Sequence, residues 1–210
     1  MSLFISIEGG EGSGKSTQII SLSKWLKNIF PKKEIVITRE PGGTPQSEQI
    51  RKIIVNGSSN KFNEKTEALL MIAARAENVL NIINPALKRN SIVISDRFSD
   101  STYVYQGIAY NINLFEIEKI HKFAFNNILP DITILLDVDP KIGLKRAENR
   151  RNFNENRFEN KGIKFHQKVR EGFLKIAKMN SDRFIVVNAN NSFEEIDRFV
   201  KSSLIKKLKI

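Results

Sequence analysis

Five short runs of apolar residues recur along the chain, and segments with helical periodicity separate them. Because the apolar residues are continuous rather than alternating, each run predicts a strand that is buried on both faces, as in a parallel sheet. The runs cover residues 3–7, 34–38, 91–95, 132–137 and 184–188. The helical segments lie near 46–56, 64–84, 113–128, 140–150, 160–179 and 193–208, after a first one that follows Lys15. This alternation predicts an α/β fold with a five-stranded parallel sheet and helices on both faces, forming one domain over residues 1–210.

The first strand leads into a glycine-rich loop, GGEGSGKS at residues 9–16, which matches the phosphate-binding pattern G-x-x-x-x-G-K-[ST]. The glycines let backbone N–H groups point inward, and the N-terminus of the next helix adds a partial positive charge. Lys15 is expected to reach the β- and γ-phosphates of a nucleotide, and the Ser16 hydroxyl to bind Mg²⁺. The predicted nucleotide-binding residues of this loop are Gly9, Gly10, Glu11, Gly12, Ser13, Gly14, Lys15, Ser16 and Thr17. A glycine-rich turn without a nucleotide is the alternative.

Ligands of such folds bind at the carboxyl ends of the strands, so the segments after the second and third strands are further candidates. Residues 38–44 (Thr-Arg-Glu-Pro-Gly-Gly-Thr) predict a fixed turn that presents Arg39, unless this is an ordinary loop with an exposed arginine. Asp96 ends the third strand, as the Mg²⁺-binding acid does in P-loop enzymes, and Arg97 beside it is expected to bridge phosphates. Residues 99–107 mix polar and aromatic side chains, which suits the binding of a base and a sugar.

The segment 64–84 predicts a long amphipathic helix that Pro85 ends. Its apolar positions are Leu69, Ile72, Ala76, Val79, Leu80 and Ile83. Met71 and Arg75 are four residues apart and therefore share a face. Arg75 can bind a phosphate through two parallel hydrogen bonds. A surface arginine on the polar side of the helix is the alternative.

After the fourth strand the chain is dense in arginine and asparagine, and residues of about 147–159 are expected to form a lid over transferring phosphates. The arginines concerned are Arg146, Arg150, Arg151 and Arg157. A charged, solvent-facing surface is the alternative.

The net charge of +11 suggests nucleic-acid binding, but the lysines are scattered, and asparagine and isoleucine are also abundant. We therefore attribute the charge mainly to a compositional bias, and expect no nucleic-acid partner. The absence of cysteine excludes disulfides and a cysteine nucleophile. No run of eighteen apolar residues and no charged leader is present, so we expect a cytoplasmic protein without a membrane partner.

Several of these segments resemble the motifs of thymidylate kinases, in the family's order. They are the glycine-rich loop, the Thr-Arg-Glu-Pro-Gly-Gly-Thr turn, Ala73-Ala74-Arg75, Asp96-Arg97-Phe98, Ser101 with Tyr105-Gln106-Gly107, and Gly143-Leu144-Lys145-Arg146. The resemblance, which spans residues 5 to about 160, implies a nucleoside-monophosphate-kinase fold with an arginine-rich lid. It also implies transfer of a phosphoryl group from ATP to dTMP with Mg²⁺, for dTTP synthesis, and a homodimer.

The family's functional residues can be carried over position by position. The resemblance implies that dTMP is bound by Arg39, Met71, Arg75, Arg97, Ser101, Tyr105 and Gln106. It implies that Arg146 stacks on adenine, with Asn188 and Ala189 on the other side. It implies Mg²⁺ at Ser16 and Asp96, and catalytic roles for Lys15, Arg97, Glu11, Arg150 and Arg151.

Two features of this chain stand out against the family: one varies between family members, and the other departs from the usual residue. Its glycine-rich loop contains no arginine, as in the bacterial type, in which lid arginines supply that charge; Arg150 and Arg151 are the candidates. Met71 stands where the family usually has a phenylalanine that stacks on thymine, and Tyr103 stands where others carry a polar residue that contacts the base. Both predict a looser base pocket.

Two other functions remain open at this stage. A different nucleotide kinase would share the loop and the Asp-Arg pair, although Arg39 and Arg75 favour an acceptor that already carries a phosphate. A P-loop ATPase that binds nucleic acid belongs to another class, and its binding would depend steeply on salt.

Overall fold

The computed structural model describes residues 2–149 and 157–210, and these residues form a five-stranded parallel sheet in the order β2-β3-β1-β4-β5. The strands are β1 (Leu3–Glu8), β2 (Ile35–Arg39), β3 (Ile92–Asp96), β4 (Ile132–Asp137) and β5 (Phe184–Asn188). Each predicted strand is confirmed to within one residue at either end. The predicted α/β class and the parallel sheet are confirmed as well.

The chain changes direction across the sheet between β1 and β3, which are neighbours. After β1 it crosses to β2 at one edge, and after β3 it crosses to β4 on the other side of β1. In the register of this pair, Ile7 lies beside Asp96. The carboxyl ends of β1 and β3 therefore open a crevice between them, the usual ligand site of such sheets.

The helices of the described residues follow the predicted pattern with two differences. They are α1 (Lys15–Ile29), α2 (Pro45–Val55), α3 (Glu64–Asn78), α4 (Asn84–Lys88), α5 (Ser99–Thr102), α6 (Leu114–Phe125), α7 (Pro140–Glu148), α8 (Ile163–Met179) and α9 (Phe193–Leu208). A π-helical turn, Val79–Ile83, joins α3 to α4. Pro85 was expected to end the helix, but it lies in the first turn of α4, where its missing N–H removes no hydrogen bond.

The second difference is the segment that was predicted only as a polar and aromatic stretch. It forms α5 and continues as a π-helix, Tyr103–Ala109. Gly107 and the mixture of side chains hid the helical periodicity. Single π-turns inside helices are frequent at functional sites.

Alternate residues of the central strand face opposite layers of helices. Ile5 packs in one apolar cluster with Leu22 of α1 and Val200 of α9. Phe4 packs in a second cluster with Ile72 of α3. Two of the apolar positions predicted for this helical region are not buried, because Leu69 is 53% exposed and Leu80 is 55% exposed.

Among the helices of residues 2–149 and 157–210, none has the length and apolar character to cross a membrane.

Candidate active site

The glycine-rich loop wraps around the Lys15 side chain. Gly12 and Gly14 have φ angles of 66° and 94°, which favour glycine because a Cβ atom is strained there. Lys15 Nζ donates hydrogen bonds to the carbonyl oxygens of Gly9 at 3.1 Å and Gly10 at 3.0 Å. Burial and the nearby charge of Arg97 lower the pKa of Lys15 to about 8. The lysine therefore ties the two ends of the glycine-rich loop together and carries a positive charge near neutral pH.

Arg97 joins the end of β3 to this loop. Its backbone has a φ of 66°, an uncommon conformation for a residue with a side chain. Its guanidinium donates to the Gly9 carbonyl and to the Glu11 carboxylate, both at 2.9 Å, and to the Ser101 hydroxyl at 3.2 Å. The strained turn thus directs the positive charge over the loop, as expected of a residue that contacts phosphates.

Glu11 is the acceptor at the centre of this group. The same carboxylate oxygen accepts hydrogen bonds from Arg97 and from the Tyr105 hydroxyl, each at 2.9 Å. Burial by itself would raise the pKa of Glu11, but the charges of Arg97 and Lys15 and the hydrogen bond from Tyr105 lower it to about 2. Glu11 is therefore ionised near neutral pH.

Glu8, three residues earlier, has a raised pKa, whereas that of Glu11 is lowered. Its carboxyl group is fully buried and accepts hydrogen bonds from the Phe98 N–H at 2.7 Å and the Ser101 hydroxyl at 2.6 Å. Burial and the neighbouring Asp100 raise the pKa of Glu8 to about 8. Glu8 connects β1 to the start of α5, which carries Ser101.

The loop opens onto a cavity of about 580 Å³ at the carboxyl ends of the strands. Its lining includes most of the residues predicted for a triphosphate, metal and acceptor phosphate, namely Glu11, Gly12, Ser13, Gly14, Lys15, Ser16, Arg39, Asp96 and Arg97. Arg51 and Glu40 are among the lining residues that were not predicted as site residues. Arg51 lies on α2 and donates to the Pro41 carbonyl at 2.8 Å. A polar position in a predicted helix was the only sequence signal for Arg51.

A smaller cavity of about 110 Å³ adjoins the larger one, and both are lined by Glu11, Glu40, Arg51 and Arg97. Six of the seven residues predicted to bind dTMP line it: Met71, Arg75, Arg97, Ser101, Tyr105 and Gln106. Arg39, the seventh, lines the larger cavity. Phe158 was missed; it also lines the smaller cavity, and its ring meets Tyr105 edge-on with centroids 6.0 Å apart.

Tyr103 does not have the role at the base pocket that its sequence position suggested. Its ring packs edge-on against His121 at 5.1 Å, and it is not part of the lining of the smaller cavity. Met71 does line that cavity. Of the two residues expected to loosen the base pocket, only Met71 therefore still supports that prediction, because its side chain is more flexible than an aromatic ring.

Arg75 is buried and not on a solvent-facing surface. Its guanidinium donates to Glu40 at 2.5 Å, to the Thr102 hydroxyl at 2.8 Å and to the Phe98 carbonyl at 3.0 Å. The arginine therefore has a structural part in holding α3 against α5, besides facing the smaller cavity. The surface alternative for Arg75 is wrong.

Arg39 is the more exposed arginine of the two, with 52% of its side chain accessible. It forms two parallel hydrogen bonds with Glu48 of α2, at 3.1 and 2.8 Å. Glu48 also accepts from the Gly43 N–H, so the turn that carries Arg39 is tied to α2. Loop and arginine are thus fixed together, as the Pro and Gly residues of this turn predicted.

The predicted lid is only partly within the described residues. Arg150 and Arg151 lie outside them. Arg157 was counted among the arginines expected over the phosphates, but it is fully buried, and its guanidinium contacts Glu67 at 2.6 Å. Both the lid role and the charged-surface alternative are wrong for Arg157, because its guanidinium is buried against Glu67 and the carbonyl groups of Ile54 and Ser58.

The residues predicted around adenine are close together. Arg146, near the end of α7, donates to the Ala189 carbonyl at 2.8 Å. Asn188, which ends β5, accepts from the Asn190 N–H at 3.1 Å. The arginine and the β5–α9 loop therefore form one surface beside the glycine-rich loop.

Ser16 and Asp96 both line the larger cavity, and both present oxygen atoms. Mg²⁺ prefers oxygen ligands and is usually bound by one or two protein groups together with substrate phosphates and water. The two side chains therefore fit a magnesium ion that arrives with a nucleotide.

Glu8 makes the stability of the protein depend on pH. The pKa of Glu8 is near 4.5 in an unfolded chain and about 8 in the folded protein. Its contribution to the free energy of unfolding is therefore complete below pH 4.5 and is lost as the pH rises through 8. We expect the free energy of unfolding to fall across this interval, by at most about 1.4 kcal/mol per pH unit from this group. The Glu8→Gln variant should flatten the dependence in denaturant titrations from pH 5 to 8. The exposed Glu118→Gln change is the control; equal slopes for Glu8→Gln and wild type would contradict the assignment.

Gly143 of α7 allows the glycine-rich loop to approach that helix. A Cβ atom at Gly143 would lie 2.3 Å from the Glu11 carbonyl oxygen, a backbone atom that cannot rotate away. Gly143→Ala should therefore displace the loop and weaken ADP binding by about tenfold to a hundredfold, as expected for misplacement by about 1 Å. Calorimetric titration measures this, and Lys141→Ala on the exposed side of α7 is the control. ADP affinity within twofold of wild type in Gly143→Ala would refute the steric role.

Comparison with known proteins gives one consistent family. A family model described as thymidylate kinase matches residues 7–200. The thymidylate kinase of Lactobacillus acidophilus is 43% identical over 207 residues, covering 98% of this chain and 94% of the relative. That of Staphylococcus epidermidis is 42% identical over 209 residues and covers both chains completely, at 100%. The crystal structure of thymidylate kinase from Ehrlichia chaffeensis matches 97% of this chain and 98% of its own, with 33% identity and a TM-score of 0.78.

Proposed function

The chain belongs to the thymidylate kinase family, and we propose that it phosphorylates dTMP to dTDP with ATP and Mg²⁺, a step toward dTTP. The observation that carries the proposal is the pair of adjoining cavities with Arg97 and Glu11 in their common wall. The larger is lined by the glycine-rich loop, and the smaller by apolar, polar and charged side chains that include Met71, Gln106 and Arg75. Two nucleotides bound in these adjoining cavities would meet beside Arg97 and Glu11, where a phosphoryl group would be transferred from one to the other.

ATP would bind with its phosphates in the glycine-rich loop. The backbone N–H groups and the N-terminus of α1 favour an anion there. Lys15 would exchange its hydrogen bonds with the Gly9 and Gly10 carbonyls for bonds with phosphate oxygens. Ser16 and Asp96 would hold Mg²⁺, which neutralises charge on the phosphates when bound. Arg146 and the loop after β5 would flank the adenine.

The acceptor dTMP would bind with its base in the smaller cavity and its phosphate toward the larger one. Arg39, Arg97 and Arg51 line the larger cavity and are the arginines placed to bind that phosphate. The base would contact Met71 and Gln106 in the smaller cavity. Tyr105, held by Glu11, would lie under the deoxyribose and crowd a 2′-hydroxyl group.

Transfer would proceed by direct in-line attack of the dTMP phosphate oxygen on the γ-phosphorus of ATP, without a covalent enzyme intermediate. Such reactions depend almost entirely on positioning and charge. Lys15 and Arg97 supply positive charge from the described part of the chain. Arg150 and Arg151 remain predictions from the family resemblance, as the lid arginines expected to stabilise the transferred group.

The proposal is tested by an assay coupled to ADP release, with ATP·Mg²⁺ and separate acceptors. The acceptors are dTMP, dUMP, UMP, dCMP, dGMP and AMP. We expect a strong preference for dTMP, and a loss of about 10³-fold or more in turnover for Lys15→Met, since it removes a charge from the transferred phosphates. Comparable rates with dTMP and dUMP would show that Met71 relaxes base choice. No turnover with any monophosphate would overturn the proposal.

We also propose that the protein is a cytoplasmic homodimer. Leu69 and Leu80, in α3 and the turn after it, and Phe115 and Phe123 of the adjacent α6 are exposed apolar side chains. Phe123 is 91% exposed, which is unfavourable for a large aromatic ring in water. Sedimentation equilibrium should give twice the mass of one chain, which is 24.0 kDa. The Phe123→Glu variant should lower the measured mass toward that of a single chain. A monomer at micromolar concentration for the wild-type chain would contradict the dimer.

A further inference from the structure

Arg157 is a fully buried arginine whose contacts all lie within the protein. Its guanidinium donates to the carbonyl oxygens of Ile54 and Ser58, both at 3.1 Å, and of Ser59 at 3.4 Å. It also forms an ion pair with Glu67 of α3 at 2.6 Å. The carbonyl oxygens hold the guanidinium in one orientation, so the position of its charge beside Glu67 is fixed.

Glu67 is the second member of this group and is 1% exposed. One of its oxygen atoms faces Arg157, and the other accepts a hydrogen bond of 2.8 Å from the side-chain amide nitrogen of Gln106. Gln106 in turn lines the smaller cavity. A buried chain of contacts therefore runs from Arg157 through Glu67 to a wall of the pocket.

The chemistry of Glu67 fixes which way round the Gln106 amide lies. An ionised carboxylate only accepts hydrogen bonds, so the NH₂ group of the amide must face it. The carbonyl oxygen of Gln106 is then the polar atom left for the cavity. A protonated or neutral residue at position 67 could donate as well as accept, and the amide would no longer have one preferred orientation.

Arg157 supplies the positive charge that faces the Glu67 carboxylate in this interior. An isolated carboxylate is strongly disfavoured in an apolar site unless an opposite charge and hydrogen bonds compensate for the loss of water. Arg157 supplies that charge at 2.6 Å. The two residues thus act as one unit on the orientation of Gln106.

We propose that Glu67, paired with Arg157, is a specificity-determining positioning residue that turns the Gln106 carbonyl oxygen toward the bound base. That oxygen accepts a hydrogen bond from the N3–H group of thymine. Cytosine carries an unprotonated N3, an acceptor, and would place two acceptors against each other. The inference rests on the proposed function, because it requires the base of the monophosphate to lie in the smaller cavity.

The test compares kcat/KM for dTMP and for dCMP in the wild-type protein and in Glu67→Gln. A glutamine at this position can present either its oxygen or its NH₂ group to Gln106, so the amide can reverse. We expect the ratio of dTMP to dCMP efficiency to fall at least about tenfold, since sites built for one hydrogen-bonding pattern reject the other strongly. Glu77→Gln, a half-buried position on the same helix, is the matched control and should leave the ratio unchanged.

A double-mutant cycle with Gln106→Met separates this role from a merely structural one. If Glu67 acts through the amide, Gln106→Met lowers the ratio by itself, and adding Glu67→Gln lowers it no further. Arg157→Lys, which keeps the charge, should retain more of the ratio than Arg157→Met. A loss of stability alone would change the melting temperature and the rates for both substrates without changing their ratio.

The outcomes are distinguishable. A ratio within twofold of wild type in Glu67→Gln, with dTMP turnover retained, overturns the inference and leaves the proposed function intact. Should Glu67→Gln fail to fold, an unchanged ratio in Gln106→Met overturns it equally. Absence of dTMP turnover in the wild-type protein would instead overturn the proposed function.

Discussion

The pairing of β1 with β3 is the constraint on which the site depends. Because Ile7 lies beside Asp96, the Arg97 N–H can donate to the Ile7 carbonyl at 3.0 Å and the Phe98 N–H to the Glu8 carboxyl group. These bonds hold the chain after β3 against the end of β1, in the turn that gives Arg97 its positive φ. The guanidinium is thereby placed on the glycine-rich loop. A shift of one residue in this register would direct each following side chain to the opposite face of the sheet.

Within the described residues, three ion pairs that are largely buried tie together segments that are distant in the sequence. They are Arg75 with Glu40, Arg157 with Glu67, and Arg183 with Asp100. Burial of a charge is unfavourable, so such pairs add little to stability by themselves, but loss of one partner leaves the other uncompensated. Their effect here is on position: each fixes an element whose other side chains line a cavity. α3 and α5 owe their orientation toward the cavities to these contacts.

The sequence was sufficient for the strands, the glycine-rich loop and most site residues, because continuous apolar runs and residue spacing carry that information locally. It was insufficient where the outcome depends on partners far along the chain. Arg75 was predicted to bind a phosphate and Arg157 to belong to the lid, each with a surface position as the alternative, and only the fold brings Glu40 and Glu67 beside them. Leu69, apolar and on the predicted core face, is exposed because periodicity cannot locate the edge of the packed surface. Arg51 and Phe158 escaped notice because no local motif marks a residue that merely borders a cavity.

The contrast between Glu8 and Glu11 shows how neighbouring charges can reinforce or reverse the effect of burial on the pKa of a carboxyl group in this site. Glu8 is buried and Glu11 is half-buried, and both accept two hydrogen bonds. Glu11 faces two cations, so its pKa falls to about 2, whereas burial and the nearby Asp100 raise the pKa of Glu8 to about 8. One strand end thus provides an ionised group that holds Arg97 and a largely neutral one that supports the backbone behind it. A polyphosphate approaching the loop then meets the Glu11 carboxylate beside the positive charges of Lys15 and Arg97, and the Glu8 carboxyl group lies behind them.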